Sequence, residues 1–264
     1  ASGERLGAFA LTEPDAGSNP ADMKTVARRE DGGYRIRGTK HFISNAAVAD
    51  FLIVYAQTDP DAGGRGISAF YVEREHANLQ FGEPERTMGL RGGHVFEVVI
   101  DTVVPEENRI GAEGSGFRTA LKVLDAGRLD IAACCVGVAE AAQGLALEWA
   151  RTRQVGGAPI GQFQGLQWML ADMAVDIAAA RGLAQAASTK RAAGERYSLE
   201  ASMAKLFASE MAHRVTDKAI QIHGGYGFTS DFPLERFARD VRIMRIYEGS
   251  SEIQRNIIAR TILG

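Results

Sequence analysis

Between residues 7 and 105 the apolar residues fall into short segments of β-strand length. Residues 34–38 alternate strictly, and short apolar runs of strand length follow at 51–56, 67–72 and 96–100. Glycine-rich turn signals separate these runs, and no long helical pattern lies between them. The pattern therefore predicts an antiparallel β-sandwich or barrel-like domain.

From Gly116 onward, apolar residues recur at intervals of three and four, as they do on one face of an α-helix. Four helical stretches follow one another, and glycine-containing breaks separate them. They cover residues 116–153, 166–184, 203–219 and 251–263. Helices of this number and length predict an antiparallel four-helix bundle.

The change of pattern predicts an α+β fold with two domains, residues 1–111 and 112–264, because a polar, glycine-rich segment separates the two halves. Composition excludes several classes of protein. A net charge of −3 gives no attraction to nucleic acid or to an anionic membrane. The longest apolar run, 131–139, is shorter than the ~20 residues of a membrane span. We therefore predict an intracellular protein with no nucleic-acid partner and no membrane insertion.

Several common chemistries lack their sequence signals. There is no phosphate-binding GxxxxGK[ST] loop, no GxGxxG turn between a strand and a helix, no GxSxG elbow and no HExxH. The five histidines are scattered, and Cys134 and Cys135 are adjacent, so we predict no metal site and no disulfide framework. A cofactor, if there is one, is not held by a Rossmann turn.

Four polar or glycine-rich segments stand out instead: 12–18, 38–45, 221–227 and 247–254. Each alone has an ordinary structural interpretation, namely a turn, a strand end, a helix C-cap and a helix N-terminus. Each also offers hydroxyl groups, an aromatic ring, open backbone or a carboxylate to a ligand.

Together these segments resemble the acyl-CoA dehydrogenase family. The family's turn "TEPxAGSD" is TEPDAGSN at 12–19, and its "GxKxWITN" is GTKHFISN at 38–45. Its "MGxRGS", "QxxGGxGY" and "IYEGTSEIQR" correspond to MGLRGG, QIHGGYGF and IYEGSSEIQR. Its "DxxRxxxAAxxxG" is matched by Asp125, Arg128, Ala132, Ala133 and Gly137. The matches occur in family order over nearly the whole chain.

The resemblance implies a barrel-like middle domain and a C-terminal four-helix bundle with FAD between them. The matching flavin positions are Phe9, Leu11, Thr12, Gly17, Ser18, Phe42, Ile43, Ser44, Arg153, Gln164, Gln221, Ile222, Gly224, Gly225, Ser250 and Glu252. Because a neighbouring subunit supplies part of such a site in the family, a homodimer or homotetramer formed through the helical domain is implied.

Glu248 matches the family's usual catalytic base, which removes the α-proton of an acyl-CoA thioester while a hydride leaves the β-carbon for the flavin. Ser18, Asp125, Arg128 and Gly249 match positions near the thioester. The alternative for Glu248 is a carboxylate favoured by a helix N-terminus, and for Asp125 and Arg128 a solvated ion pair one helical turn apart. Some members carry the base two residues after the aspartate, but that position here is Gly127.

The resemblance further implies an electron-transfer flavoprotein as acceptor and a cytoplasmic location, or the mitochondrial matrix in a eukaryote. Two other functions stay open: a non-catalytic flavin- or acyl-CoA-binding scaffold, and an oxidase of the same fold. The sequence departs from the family at Phe42, Gly156 and Asn19, which replace a tryptophan, an aromatic residue and an aspartate. The family's helical domain before the "TEP" turn is absent from this sequence.

Overall fold

The computed structural model describes residues 2–264, which form two compact units. A sheet unit comprises residues up to Thr87 together with Arg91–Val123, and a helical unit comprises Met88–Leu90 and Leu124–Gly264. The short segment joins the helical unit because Arg239 donates to the Met88 carbonyl at 2.9 Å and the Leu90 N–H donates to Asp240 at 2.6 Å. The predicted boundary at residues 111 and 112 stays a prediction.

The sheet unit contains one sheet of eight strands, ordered β6-β7-β3-β2-β4-β5-β8, with β1 paired to β4. The strands are β1 (Gly7–Ala10), β2 (Val26–Glu30), β3 (Gly33–Ser44), β4 (Phe51–Gln57), β5 (Ile67–Glu73), β6 (Leu79–Phe81), β7 (Val95–Pro105) and β8 (Arg109–Ile110). The four predicted strands lie within β3, β4, β5 and β7. The sheet is mainly antiparallel, as predicted, and in addition β1 and β2 pair with β4 in parallel.

Strand β7 shows how the period of two builds this sheet. Its side chains alternate between the core and the opposite face, and Val98 and Ile100 are buried while Val99 is exposed. Between Lys40 and Ile43 the pairing of β3 with β7 contains a β-bulge. A bulge adds one residue and re-aims the side chains beside it. Here Lys40 and Ile43 are buried while Phe42 between them is exposed.

The helical unit contains the four predicted helices and one more. They are α1 (Gly116–Thr152, which begins in the sheet unit), α2 (Gln164–Ala192), α3 (Ser198–His223), α4 (Leu234–Val241) and α5 (Ser251–Leu263). Short strands β9 (Gln154–Val155) and β10 (Ala158–Pro159) form a hairpin between α1 and α2. Leu234, Phe237 and Val241 do recur at intervals of three and four along α4. The sequence did not predict this helix because its eight residues are fewer than the roughly 11–18 over which a helical period is recognised.

Small residues form much of the helical core. Alanines recur along the buried face of α1, and Met173 and Met211 from α2 and α3 fill the space opposite. Helix α1 contains an 18-residue window with a mean hydropathy of 1.4. By length and composition alone, this helix could cross a membrane. In this unit 39% of that window is buried. Our prediction of no membrane insertion considered only consecutive apolar residues and stays a prediction.

Candidate active site

Glu248 lies in a turn just before α5, in a backbone conformation that glutamate rarely adopts. Its φ is 55°, and the φ of Gly249 is 89°. Glycine adopts such angles freely, whereas another residue costs on the order of 1–3 kcal/mol there and persists only where its surroundings fix it. The turn at 248–249 is therefore a strained element that other parts of the unit must hold.

Three buried side chains hold this turn by its carbonyl groups. Arg128 of α1 donates from Nε to the Glu248 carbonyl at 3.3 Å. Gln254 of α5 donates to the carbonyls of Glu248 and Gly249 at 3.1 and 2.9 Å. Lys205 of α3 donates from Nζ to the Gly249 carbonyl at 2.7 Å. Three helices thus fix one two-residue turn.

Glu248 is half-buried, and its Oε2 atom is inaccessible to solvent and has no hydrogen-bond partner in the described part of the chain. Burial raises the pKa of Glu248, and the charges of Arg128 and Lys205 oppose that rise. A Cβ atom at Gly127 of α1 would lie 2.7 Å from Oε2. The side chain therefore occupies space that α1 leaves free only because residue 127 is glycine.

Asp125 and Arg128 form an ion pair on α1 with an N–O distance of 2.6 Å. Their side chains are only 15% and 5% exposed, and the Ser198 hydroxyl donates to the other Asp125 oxygen. The interpretation of a solvated surface pair is therefore wrong. The structure brings Asp125, Arg128, Glu248 and Gly249 together, while Ser18 lies exposed in the sheet unit.

In the sheet unit, a buried ion pair joins the two segments predicted to contact flavin. Lys40 donates from Nζ to Glu13 Oε1 at 2.9 Å and to the Leu11 carbonyl at 3.0 Å. The backbone N–H of His41 donates to the Thr12 carbonyl at 2.9 Å. Residues 9–13 and 40–44, distant in sequence, therefore lie side by side.

The predicted flavin residues of the sheet unit differ in what they expose. Phe42 has a φ of 56° and is 61% exposed, and Gly17, Ser18 and Ser44 are also exposed. Thr12 is half-buried. The side chains of Leu11 and Ile43 are buried, so only their backbones can reach a ligand. Phe9 packs edge-on against Tyr55 at 5.2 Å between ring centres.

Arg153, a predicted flavin residue of the helical unit, follows α1 and contacts two aromatic rings. The guanidinium lies 5.6 Å from the centre of the Tyr226 ring and 6.0 Å from that of Trp149, and no carboxylate within residues 2–264 pairs with it. Tyr226 follows directly on Gly224 and Gly225, around which a Cβ atom would meet nothing. Gln221 and Gln164 are exposed, and Ile222 is buried in the core.

Ser250 and Glu252 occupy the start of α5. Ser250 caps this helix by accepting from the Ile253 N–H at 3.4 Å, and Glu252 is exposed in the first turn. A carboxylate is favoured there by the helix dipole. The ordinary helix-terminal interpretation is thus sufficient for the contacts of both within this chain, and their role toward flavin stays a prediction.

The two sets of residues fit a flavin dinucleotide chemically. The sheet unit offers an exposed aromatic ring with hydroxyl groups beside it, which suits an isoalloxazine ring and its polar edge. The helical unit offers an arginine free of carboxylate and two open glycines, which suit a diphosphate. Neither set requires a metal, and no group of metal-ligating residues occurs in residues 2–264.

Four buried residues hold these sites, and their structural roles were not predicted from the sequence: Glu13, Lys40, Lys205 and Gln254. A signal was present for the two lysines. Lys40 continues the inward positions of Tyr34 and Ile36 along β3, and Lys205 falls on the apolar face of α3 between Ala204 and Ala208. A charge at a core position indicates a specific partner, because an uncompensated buried charge is costly.

Comparison with known proteins shows the family of this chain. The sequence matches the acyl-CoA dehydrogenase middle domain over residues 8–103 and the acyl-CoA dehydrogenase C-terminal domain over residues 114–263. The chain belongs to the acyl-CoA dehydrogenase family. Members are FAD-dependent oxidoreductases, so the predicted enzyme class, fold class and cofactor are confirmed.

Three known proteins illustrate the similarity. A short-chain-specific acyl-CoA dehydrogenase of Clostridium acetobutylicum is 45% identical over 99% of this chain and 69% of its own length. The caffeyl-CoA reductase–Etf complex subunit CarC of Acetobacterium woodii is 41% identical over 99% of this chain and 69% of its own. The structure of butyryl-CoA dehydrogenase from Megasphaera elsdenii superposes with a TM-score of 0.97 at 41% identity, covering 98% of this chain and 68% of that one.

Proposed function

We propose that Glu248 is the base that removes the α-proton of an acyl-CoA thioester in an FAD-dependent α,β-dehydrogenation. The observation that carries this proposal is the Oε2 atom of Glu248, which is inaccessible to solvent, lacks a hydrogen-bond partner among residues 2–264, and belongs to a residue in a strained turn. A scaffold gains nothing from such a group, because an unpartnered buried carboxyl only lowers stability. The scaffold alternative therefore has less support.

The residues around Glu248 prepare it for proton removal. Burial raises its pKa above that of an exposed carboxylate, so the group is a stronger base when ionised. Arg128, Lys205 and Gln254 hold the carbonyls of the turn. We expect the Glu248 N–H to donate to the thioester carbonyl, where charge develops as the proton leaves. Asp125, Arg128, Gly249 and Ser18 are the proposed substrate contacts.

Bound FAD supplies the hydride acceptor for the reaction. The proposed contacts in the sheet unit are the segment from Phe9 to Ser18 and residues 42–44, and those in the helical unit are Arg153, Gln164, residues 221–225, Ser250 and Glu252. The exposed ring of Phe42 offers a stacking surface, and the unpaired guanidinium of Arg153 can bind a phosphate by two parallel hydrogen bonds.

We further propose an electron-transfer flavoprotein as the acceptor, since the related CarC subunit functions in an Etf complex. The same relative is a reductase, which favours the reverse reaction as a second candidate function: Glu248 would then return a proton to the α-carbon. A homodimer or homotetramer, and a cytoplasmic or mitochondrial-matrix location, complete the proposal, in keeping with relatives from bacteria and from rat mitochondria.

Replacement of Glu248 tests the base. The FAD-loaded Glu248→Gln variant should keep its flavin spectrum but lose anaerobic bleaching by butanoyl-CoA by about 10²–10⁴-fold, because the amide has nearly the same shape and is not basic. Flavin reoxidation by enoyl-CoA should fall in parallel if the enzyme works in reverse. Bleaching at the wild-type rate would remove Glu248 from the mechanism.

A pair of glycine variants tests the position of the carboxyl group. Gly127→Ala places a methyl group 2.7 Å from Oε2 and should displace it, whereas Gly144→Ala on the same helix adds a methyl group into open space. We expect slower bleaching in the first variant and unchanged bleaching in the second. Equal rates in the two variants would show that the observed carboxyl position does not matter for the reaction.

An arginine pair tests the cofactor contacts. Arg153→Ala should lower the FAD-to-protein ratio after gel filtration, because an unpaired guanidinium that binds a diphosphate contributes to ligand affinity. Arg151→Ala, an exposed arginine two residues earlier, serves as the matched control. An equal ratio in both variants would reduce Arg153 to a surface charge.

A further inference from the structure

Lys205 is a fully buried cation on a helix face that is otherwise built from small residues. It shares the inward face of α3 with Ala201, Ala204 and Ala208, all of which are also buried. Lysine is almost never completely buried unless its charge is compensated. The side chain therefore calls for a specific explanation.

Lys205 does not have the partner that compensates most buried lysines. Within residues 2–264, no carboxylate oxygen lies within 4.0 Å of Lys205 Nζ. The ammonium group instead donates a hydrogen bond to the Gly249 carbonyl at 2.7 Å. Buried hydroxyls elsewhere on α3, those of Ser209 and Thr216, bond to carbonyls of their own helix. Lys205 alone among these reaches out of α3, and it does so to the turn that holds Glu248.

Of the carboxyl groups near Lys205 within residues 2–264, that of Glu248 is the one without a cation paired to it. Glu210 of α3 already forms an ion pair with Arg245 at 2.9 Å and accepts from the Ser251 hydroxyl at 2.7 Å. Arg128 of α1 is a like charge, and burial raises the pKa of the Cys135 thiol on α1 to about 12, so that thiol stays neutral. Asp130 of α1 acts on Glu248 in the opposite sense.

We propose that Lys205 is a positioning residue for Glu248: its ammonium group fixes the Gly249 carbonyl, and with it the strained turn, while its charge stabilises the ionised carboxylate. This inference rests on the proposed role of Glu248. Lys205 touches neither substrate nor reacting atoms, so it acts through the turn and through the field at the carboxyl group.

Burial changes the pKa of both Glu248 and Lys205, and in opposite directions. Burial raises the pKa of Glu248 and lowers that of Lys205 to about 8. Between these two values the carboxylate and the ammonium group are both charged, which is the state we expect to be active. Activity should thus fall on the acid side as Glu248 takes a proton and on the alkaline side as Lys205 loses one.

Two substitutions separate the hydrogen bond from the charge. Lys205→Gln keeps an N–H donor but loses the charge, and Lys205→Met loses both. Ser209→Ala, one helical turn away, removes a buried polar group that bonds only within α3 and is the matched control. All are made in the full chain loaded with FAD, and FAD content and thermal midpoint are measured for each.

In kcat/KM against pH with butanoyl-CoA, both Lys205 variants should move the acid limb to higher pH and lose the alkaline limb near 8. Lys205→Met should also lower the plateau, on the order of 10²-fold, because a displaced group reacts slowly. Lys205→Gln should keep a higher plateau of kcat/KM than Lys205→Met, because its amide can still donate a hydrogen bond. Ser209→Ala should leave the profile unchanged.

A second readout does not require turnover. The infrared carboxyl band of Glu248, identified by its absence in Glu248→Gln, should titrate at higher pH in both Lys205 variants than in wild type. Unchanged titration would overturn the inference even if activity fell. A wild-type chain without dehydrogenation would instead refute the proposed function, and the infrared result would still decide the role of Lys205.

Discussion

Each unit of this protein buries one lysine completely, and the two lysines are compensated in different ways. In the sheet unit, Lys40 contacts a carboxylate, Glu13, at 2.9 Å. In the helical unit, Lys205 contacts a carbonyl at 2.7 Å and has no carboxylate at ion-pair distance within residues 2–264. Burial lowers the pKa of both lysines to about 8.

The difference separates a structural role from a functional one. Glu13 also accepts from the backbone N–H groups of Lys24 and Thr25, at 2.6 and 3.0 Å, so the Lys40–Glu13 pair satisfies itself inside the sheet unit and fixes loop geometry. The charge of Lys205 remains available to Glu248. A buried ammonium group that has no ion-pair partner and whose charge acts on the proposed base fits a functional role better than a structural one.

The largest expected effect comes from breaking the paired lysine. Lys40→Met leaves the buried carboxylate of Glu13 without its cation and should lower the free energy of unfolding in urea by about 3–5 kcal/mol. It should also lower FAD content, because Lys40 joins two segments predicted to contact flavin. The double variant Lys40→Met/Glu13→Gln should recover part of the loss. A single variant as stable as wild type would contradict the comparison.

Replacing the unpaired lysine, Lys205, should raise the free energy of unfolding, where replacing Lys40 should lower it. Lys205→Met should raise the free energy of unfolding at pH 7 by about 1 kcal/mol, because an uncompensated buried charge is replaced by an apolar chain. The folded pKa is about 8 and that of the free side chain 10.5, so between these values only the unfolded wild-type chain keeps the proton. The difference between these two pKa values corresponds to more than the gain of about 1 kcal/mol. The gain should therefore shrink above pH 8 and change to a loss before pH 10.5. Urea unfolding across this range measures it.

Glu248→Gln should also stabilise the chain, but less, because Arg128 and Lys205 offset part of the cost of the buried carboxylate. The pKa of Glu248 is raised in the folded state, so the folded chain holds the proton to higher pH than the unfolded chain. The gain should be absent below pH 4.5, the free side-chain value, and appear as pH rises. A variant that is less stable than wild type at pH 8 would argue for a stabilising bond to Oε2.

The smallest effect is expected from a surface lysine at the same turn as Glu13. Lys24 pairs with Asp15 at 2.7 Å, and both side chains are largely exposed. Exposed pairs of this kind contribute little to stability. Lys24→Met should leave the thermal midpoint within experimental error, which makes it the control for Lys40→Met. A loss comparable to that of Lys40→Met would show that burial is not what distinguishes the two lysines.

The sequence predicted the elements well where one period runs long enough to be seen. Strands β3 and β7 and helices α1, α2 and α3 follow from alternation and from a helical period. Helix α4 has the same period but only eight residues, too few for it to be recognised. The site was predictable to the level of the motif that contains Glu248. The strained backbone of Glu248 could not be predicted. The turn is held by Arg128, 120 residues from Glu248, and by Lys205, 44 residues from Gly249, and such contacts arise only when the helices pack.

The close approach of Gly127 to Glu248 also limits how this site could evolve. The carboxyl group of Glu248, in the position observed, leaves no room for a side chain at position 127, because a Cβ there falls 2.7 Å from Oε2. A carboxylate that began at position 127 would have to displace that of Glu248 and would add repulsion between like charges. A lineage that moved its base from position 248 to position 127 would therefore change both positions together, so this glycine couples two sites that lie far apart in the sequence.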